Sequence, residues 1–172
     1  MTRTLTSLFA VTLALSLAAC GGAQPAAGDG ESDLTAAAYQ DADELISSSG
    51  GDLDRWRGLK AQLETDFNDV CGDTFCEGDY SNLRPLSLRC SVTLKTGALK
   101  SCKYVFAGSY EEITGSTGTV KVTARTFSCA FTTTATPKAL MDALLSAGST
   151  PALRRVLPGN TKSIYDSLVG CL

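Results

Sequence analysis

Seven cysteines punctuate the 172 residues, and there is no histidine. Cys20 stands far upstream of the others. Cys71, Cys76, Cys90, Cys102, Cys129 and Cys171 form an even set, which in an exported chain reads as a framework of three disulfides. Cross-links of that density restrict the chain to folds in which six distant positions meet in pairs. Spacing alone leaves many pairings open. One arrangement can be argued: if the strands around Cys102 and Cys129 close into a hairpin near Gly115-Ser116, Cys102 faces Cys129 and Tyr104 faces Phe127. Metal binding is the rival use of these thiols. It fits poorly, because four residues separate Cys71 from Cys76, no second close pair follows, and histidine is missing. A redox C-x-x-C motif is also missing.

The first 19 residues carry one charge, Arg3, then an apolar run through Leu8, Phe9, Val11, Leu13, Leu15 and Leu17. Small residues close it, the pattern of a secretory leader. The run falls short of the ~20 apolar residues that a spanning helix needs. Leu17-Ala18-Ala19-Cys20 resembles the lipobox of bacterial lipoproteins. That resemblance implies cleavage before Cys20 and acylation of its thiol, palmitate included, with the chain held in the cell envelope outside the cytoplasm. Gly21 rather than Asp follows the cysteine, which resembles the outer-membrane class where the host has an outer membrane. One acyl chain binds a bilayer marginally and two or more hold it stably. Residues 20–32 are Gly- and Ala-rich with a single Pro, the composition of a flexible tether. The expected organisation is a leader over 1–19, a lipidated tether over 20–32 and one globular domain over 33–172.

Hydrophobic periodicity predicts helices first. Leu34, Ala38, Ala42 and Leu45 share a face over residues 33–47. Leu53, Trp56, Leu59, Leu63, Phe67 and Val70 recur at steps of three and four, with Asp52 and Asp54 at the helix start. The pattern then turns to alternation. Leu86–Leu94, Leu99–Ser109 and Thr119–Thr132 read as three antiparallel strands joined by Thr96-Gly97 and Gly115-Ser116-Thr117-Gly118. Thr136-Pro137 opens another helix, Thr150-Pro151 a short one running to Leu157, and Ser163–Leu172 a last one. The predicted fold class is α+β: helices packed on a small antiparallel meander, stapled by disulfides. At fold level this order resembles cystatin-like rolls, which implies nothing about activity.

Cys71-Gly-Asp-Thr-Phe-Cys-Glu-Gly-Asp-Tyr80 is the most distinctive stretch. It resembles a motif of an uncharacterised family of secreted cysteine-containing bacterial proteins, a likeness of about ten residues that implies no function. Asp69, Asp73, Glu77 and Asp79 crowd this stretch, with Ser81 and Asn82 after them. Their oxygens suit Ca²⁺ in kind but not in spacing, which departs from the EF-hand order. The plainer expectation is a solvated acidic turn pinned by disulfides, and no cofactor beyond the lipid on Cys20.

No Gly-x-Ser-x-Gly elbow appears. Lys100-Ser101 and Lys162-Ser163 are Ser-Lys neighbours in sequence only. Glu111-Glu112, adjacent on a strand, point to opposite faces and so cannot work as a carboxylate pair. Trp56, Tyr104, Phe106 and Phe127 fall at core positions. Arg154, Arg155 and Lys162 form a small basic cluster, the size of an ordinary solvated face.

The net charge of -3 becomes -4 once Arg3 leaves with the leader, which disfavours nucleic acid as a partner. Without histidine the usual general base is lost. The favoured expectation is therefore a non-enzymatic binding or structural module, tethered by its lipid and engaging an envelope protein or ligand. The alternatives are an inhibitor of a secreted hydrolase, which an acidic rigid scaffold would suit, and an enzyme with a carboxylate or serine site near residues 69–82.

Overall fold

The computed structural model of the protein describes residues 38–78 and 80–172. The expected leader, Cys20 and its tether, Leu34 and Asp79 lie outside the described residues. The fold is α+β, with helices packed on one face of a four-stranded antiparallel sheet and three disulfides stapling it. In chain order the strands are β1 (Tyr39–Asp41), β2 (Arg84–Thr93), β3 (Leu99–Thr114) and β4 (Thr119–Phe131), and they lie side by side in that same order. The helices are α1 (Ala42–Ser48), α2 (Leu53–Val70), α3 (Pro137–Leu144) and α4 (Ile164–Val169).

α2 has the span its periodicity predicts. Asp52 caps it by accepting from the Arg55 N–H at 2.8 Å. Its stripe of Trp56, Leu59, Leu63 and Phe67 is fully buried against the sheet and neighbouring helices. Each such side chain contributes about 1.5–3 kcal/mol by leaving water. The sheet meets it with alternate residues: Leu88, Cys90 and Val92 from β2, Cys102, Tyr104 and Phe106 from β3, and Phe127, Cys129 and Phe131 from β4. Buried Asp66 on α2 accepts from Gln62 Nε2 at 2.8 Å and from the Leu153 N–H at 2.9 Å, pinning the following segment to the helix.

Four expectations need correction. Residues 33–47 are not one helix. Tyr39–Asp41 pairs with Ser91–Thr93, and α1 starts only at Ala42, capped by Asp41, which accepts from the Asp43 N–H. Ladder hydrogen bonds and the cap outweigh the local periodicity, and Ala38 ends up exposed. The segment after Thr150-Pro151 makes a single 3-10 turn, Ala152–Arg154; Arg155 then turns extended and Val156 bridges to Ser163. The last helix likewise stops at Val169 rather than Leu172.

The fourth correction concerns the β3–β4 register. Cys102 faces Phe131, Tyr104 faces Cys129, and Phe106 faces Phe127. The turn closes between Thr114 and Thr119, with the Gly118 N–H donating to the Thr114 carbonyl at 2.8 Å and Gly118 at φ +69°. That left-handed position favours glycine and places the loop centre one residue later than Gly115-Ser116. The slip of two on β4 keeps every side chain on its expected face, yet it separates Cys102 from Cys129. Cys102 bonds instead to Cys90, directly opposite on β2, with Cα atoms 4.0 Å apart. Cys129 is thereby free for Cys171, at 5.6 Å, and ties the C-terminal segment to β4.

Candidate functional site: a clamped loop beneath a free hairpin

The third disulfide, Cys71–Cys76, closes the π-helical turn Cys71–Phe75 that continues α2. Phe75 stacks on Phe67 with centroids 5.5 Å apart and also meets Tyr165. From there the chain crosses to the sheet. Asn82 Oδ1 accepts from the Ser109 N–H at 2.6 Å, and Asn82 Nδ2 donates to Ser109 Oγ. The loop lies so close to β3 that a Cβ on Gly108 would sit 2.9 Å from Leu83 Cδ2. Tyr80 packs edge-on to Phe127, and the Arg125 guanidinium caps the pair, 4.7 Å above the Phe127 ring and 5.9 Å from that of Tyr80. Arg125 is exposed, and a cation–π contact at such a site is worth about 0.5–1 kcal/mol. The distinctive cysteine segment is thus bolted to the point where the β3–β4 ribbon leaves the body.

Beyond that point nothing among the described residues covers the ribbon. Residues 110–126 are exposed on both faces. One face carries Ile113 opposite Val120 and Glu111 opposite Val122; the other carries Glu112 opposite Lys121. Ile113 is 70% exposed and Val122 60%. β4 also ends the sheet, so among the described residues no strand pairs with its outer backbone edge. Such an edge is a ready template for another strand.

Of the four acidic candidates, Asp69 and Glu77 are the ones whose side chains are described, and both are exposed. Asp69 is exposed on the last turn of α2, Asp73 falls in the π-helical turn, and Glu77 is exposed beyond it. Among the described residues no three Asp, Glu or Cys side chains are placed to hold a metal ion. Ser163 is committed to a capping box: its Oγ accepts from the Asp166 N–H at 3.1 Å, and Asp166 Oδ2 accepts from the Ser163 N–H at 2.8 Å. Hydrogen bonding from the Ser163 backbone and then from its hydroxyl holds the Asp166 carboxyl below its ordinary pKa. Lys100 and Ser101 are consecutive residues of β3, Lys100 exposed and Ser101 half-buried. Glu111 and Glu112 do take opposite faces, Glu111 accepting from the Ser109 hydroxyl. The Arg154–Arg155 cluster is used internally: Arg154 lies 4.2 Å over the Tyr165 ring, and Arg155 Nε donates to the Thr150 carbonyl at 2.8 Å. Trp56, Tyr104, Phe106 and Phe127 are all core residues.

Two features escaped the sequence reading. One is the length of the free ribbon, for which a signal existed: on β4 the face that carries Phe127, Cys129 and Phe131 carries Thr119, Lys121, Thr123 and Arg125 further out. The other is a cleft of about 340 Å³ between α2 and β2, lined by Lys60, Glu64, Leu86 and Tyr104 among others. Its residues are remote in sequence and no local pattern joins them. No family model, curated protein or solved structure matches the chain.

Proposed function

We propose that the protein is an envelope lipoprotein, acylated on Cys20, that works outside the cytoplasm as a non-enzymatic binding module and presents its β3–β4 ribbon to a partner at the membrane surface. The observation that carries this reading is the use of the cysteines. All six after Cys20 are consumed by one another, so none is left to bond Cys20 within the chain. Disulfides persist in oxidising compartments, which fits export. The lone thiol sits where the lipobox resemblance calls for lipid. The binding role draws on the ribbon: a long unprotected edge strand with exposed aliphatic residues is the form used in strand-addition recognition.

Intact mass of the protein extracted from native membranes, alkylated before and after reduction, tests the address. The expected result is acyl mass on Cys20 and six thiols that react only after reduction. A chain without lipid, or with thiols free before reduction, overturns it.

A further inference from the structure

The cleft between α2 and β2 has a ligand preference written into which of its polar groups are already used. Lys60 Nζ is paired with Asp43 at 2.6 Å, and Arg89 Nε with Asp41 at 2.9 Å. Both cations on the rim are therefore neutralised. Glu64 stands in no ion pair or hydrogen bond among the described residues. Beneath it lies Tyr104, only 3% exposed. Its hydroxyl makes no hydrogen bond among the described residues, and it is not sealed from solvent but opens onto the cleft. Burial, then the negative charges of Glu64 and Asp66, push the phenol pKa up. The hydroxyl therefore stays protonated and offers both a donor and an acceptor. β2 is broken out of register between Pro85 and Ser87, and the intervening Leu86, 59% exposed, forms an apolar lip. β1 pairs only with Ser91–Thr93, which leaves the β2 backbone beside the cleft without a neighbouring strand on that side among the described residues.

We propose that this cleft binds a primary alkylammonium group, its aliphatic stem against Leu86 and its charge shared between the Glu64 carboxylate and the Tyr104 hydroxyl oxygen. An ammonium has three donors and no acceptor, matching the uncommitted oxygens. An anion would have to displace Asp43 or Asp41 from a formed ion pair. The ammonium can come from a lysine of an extended polypeptide lying along the open β2 edge, or from a free small amine. The proposal stands independently of lipid on Cys20 and of the ribbon.

Titration of the disulfide-intact protein, followed by backbone amide NMR, tests it. The probes are n-pentylammonium and an acetylated, amidated tripeptide with a central lysine. Pentanol and the same tripeptide with norleucine serve as neutral counterparts. The proposal predicts saturable shifts at Glu64, Ser87 and Tyr104, with the neutral probes binding at least about tenfold more weakly, as the loss of a charge-assisted contact requires. Glu64→Gln and Tyr104→Phe should each weaken the cationic probes about five- to tenfold while the melting temperature holds. Glu64 is exposed, so Glu64→Gln carries the test if Tyr104→Phe fails to fold. Tighter binding of the tripeptide assigns the site to a protein lysine, and equal binding to a small amine. Neutral probes that bind equally well, shifts that never saturate, or variants that keep full affinity overturn it.

Discussion

The two halves of the β3–β4 ribbon are one continuous ladder, yet they live under different physics. In the inner half, Tyr104, Phe106, Phe127 and Cys129 are buried, two disulfides land on the strands, and Asn82 and Tyr80 clamp the margin. In the outer half, from Tyr110 to Thr126, the ladder continues unbroken with no core beneath it. An isolated hairpin is marginal in water, so the outer half is held mainly by its attachment to the inner. The lesson is a division of labour: the body holds the structure, and the outer ribbon can be changed by binding without disturbing it.

The contrast can be broken most forcefully at the staples. Cys129–Cys171 spans 42 residues and Cys90–Cys102 spans 12. Loop-closure entropy then predicts losses of about 4 and about 3 kcal/mol for the paired Cys→Ser variants, measured by urea unfolding. Phe106→Ala should cost a similar amount, about 3–5 kcal/mol, through the cavity it leaves. A smaller effect is expected at the capping box, where Ser163→Ala should cost about 1 kcal/mol.

The same box gives a pH dependence. Asp166 has its folded pKa depressed, so its contribution is present above the unfolded carboxylate value near ~3.9 and is lost as pH falls through the lower folded value. Asp142, held down by hydrogen bonds from Lys138 and Arg55, behaves alike. Melting between pH 5 and 2 should show a shallower acid decline for Asp166→Asn than for the parent. The smallest effects belong to the ribbon: Ile113→Thr and Val122→Thr should shift stability by no more than about 0.5 kcal/mol. A larger loss there would mean that the outer half is part of the core.

What was legible beforehand follows the same boundary. α2 declared itself because Trp56, Leu59, Leu63 and Phe67 all meet the core at helical spacing. The inner strands declared themselves because one face is wet and one dry. β1 was hidden, since three residues carry no period and its pairing with β2 comes from fifty residues downstream. The disulfide partners turned on a slip of two residues that face-by-face patterning cannot register; only the geometry of Gly118 decides it. Of the candidate site, the acidic stretch was visible in the sequence, and its described members Asp69 and Glu77 are exposed. The Tyr104 cleft was invisible, because Glu64, Leu86 and Tyr104 come from three separate elements.

The division of labour is tested most directly by cutting the ribbon back. Tyr110 faces Thr123, so residues 111–122 can be replaced by an Asn-Gly turn that suits a two-residue hairpin. Thermal unfolding of this shortened chain should remain a single cooperative transition within about 5 °C of the parent. A chain that no longer melts cooperatively, or melts more than about 20 °C lower, would show that the outer ribbon holds the fold and would contradict the account.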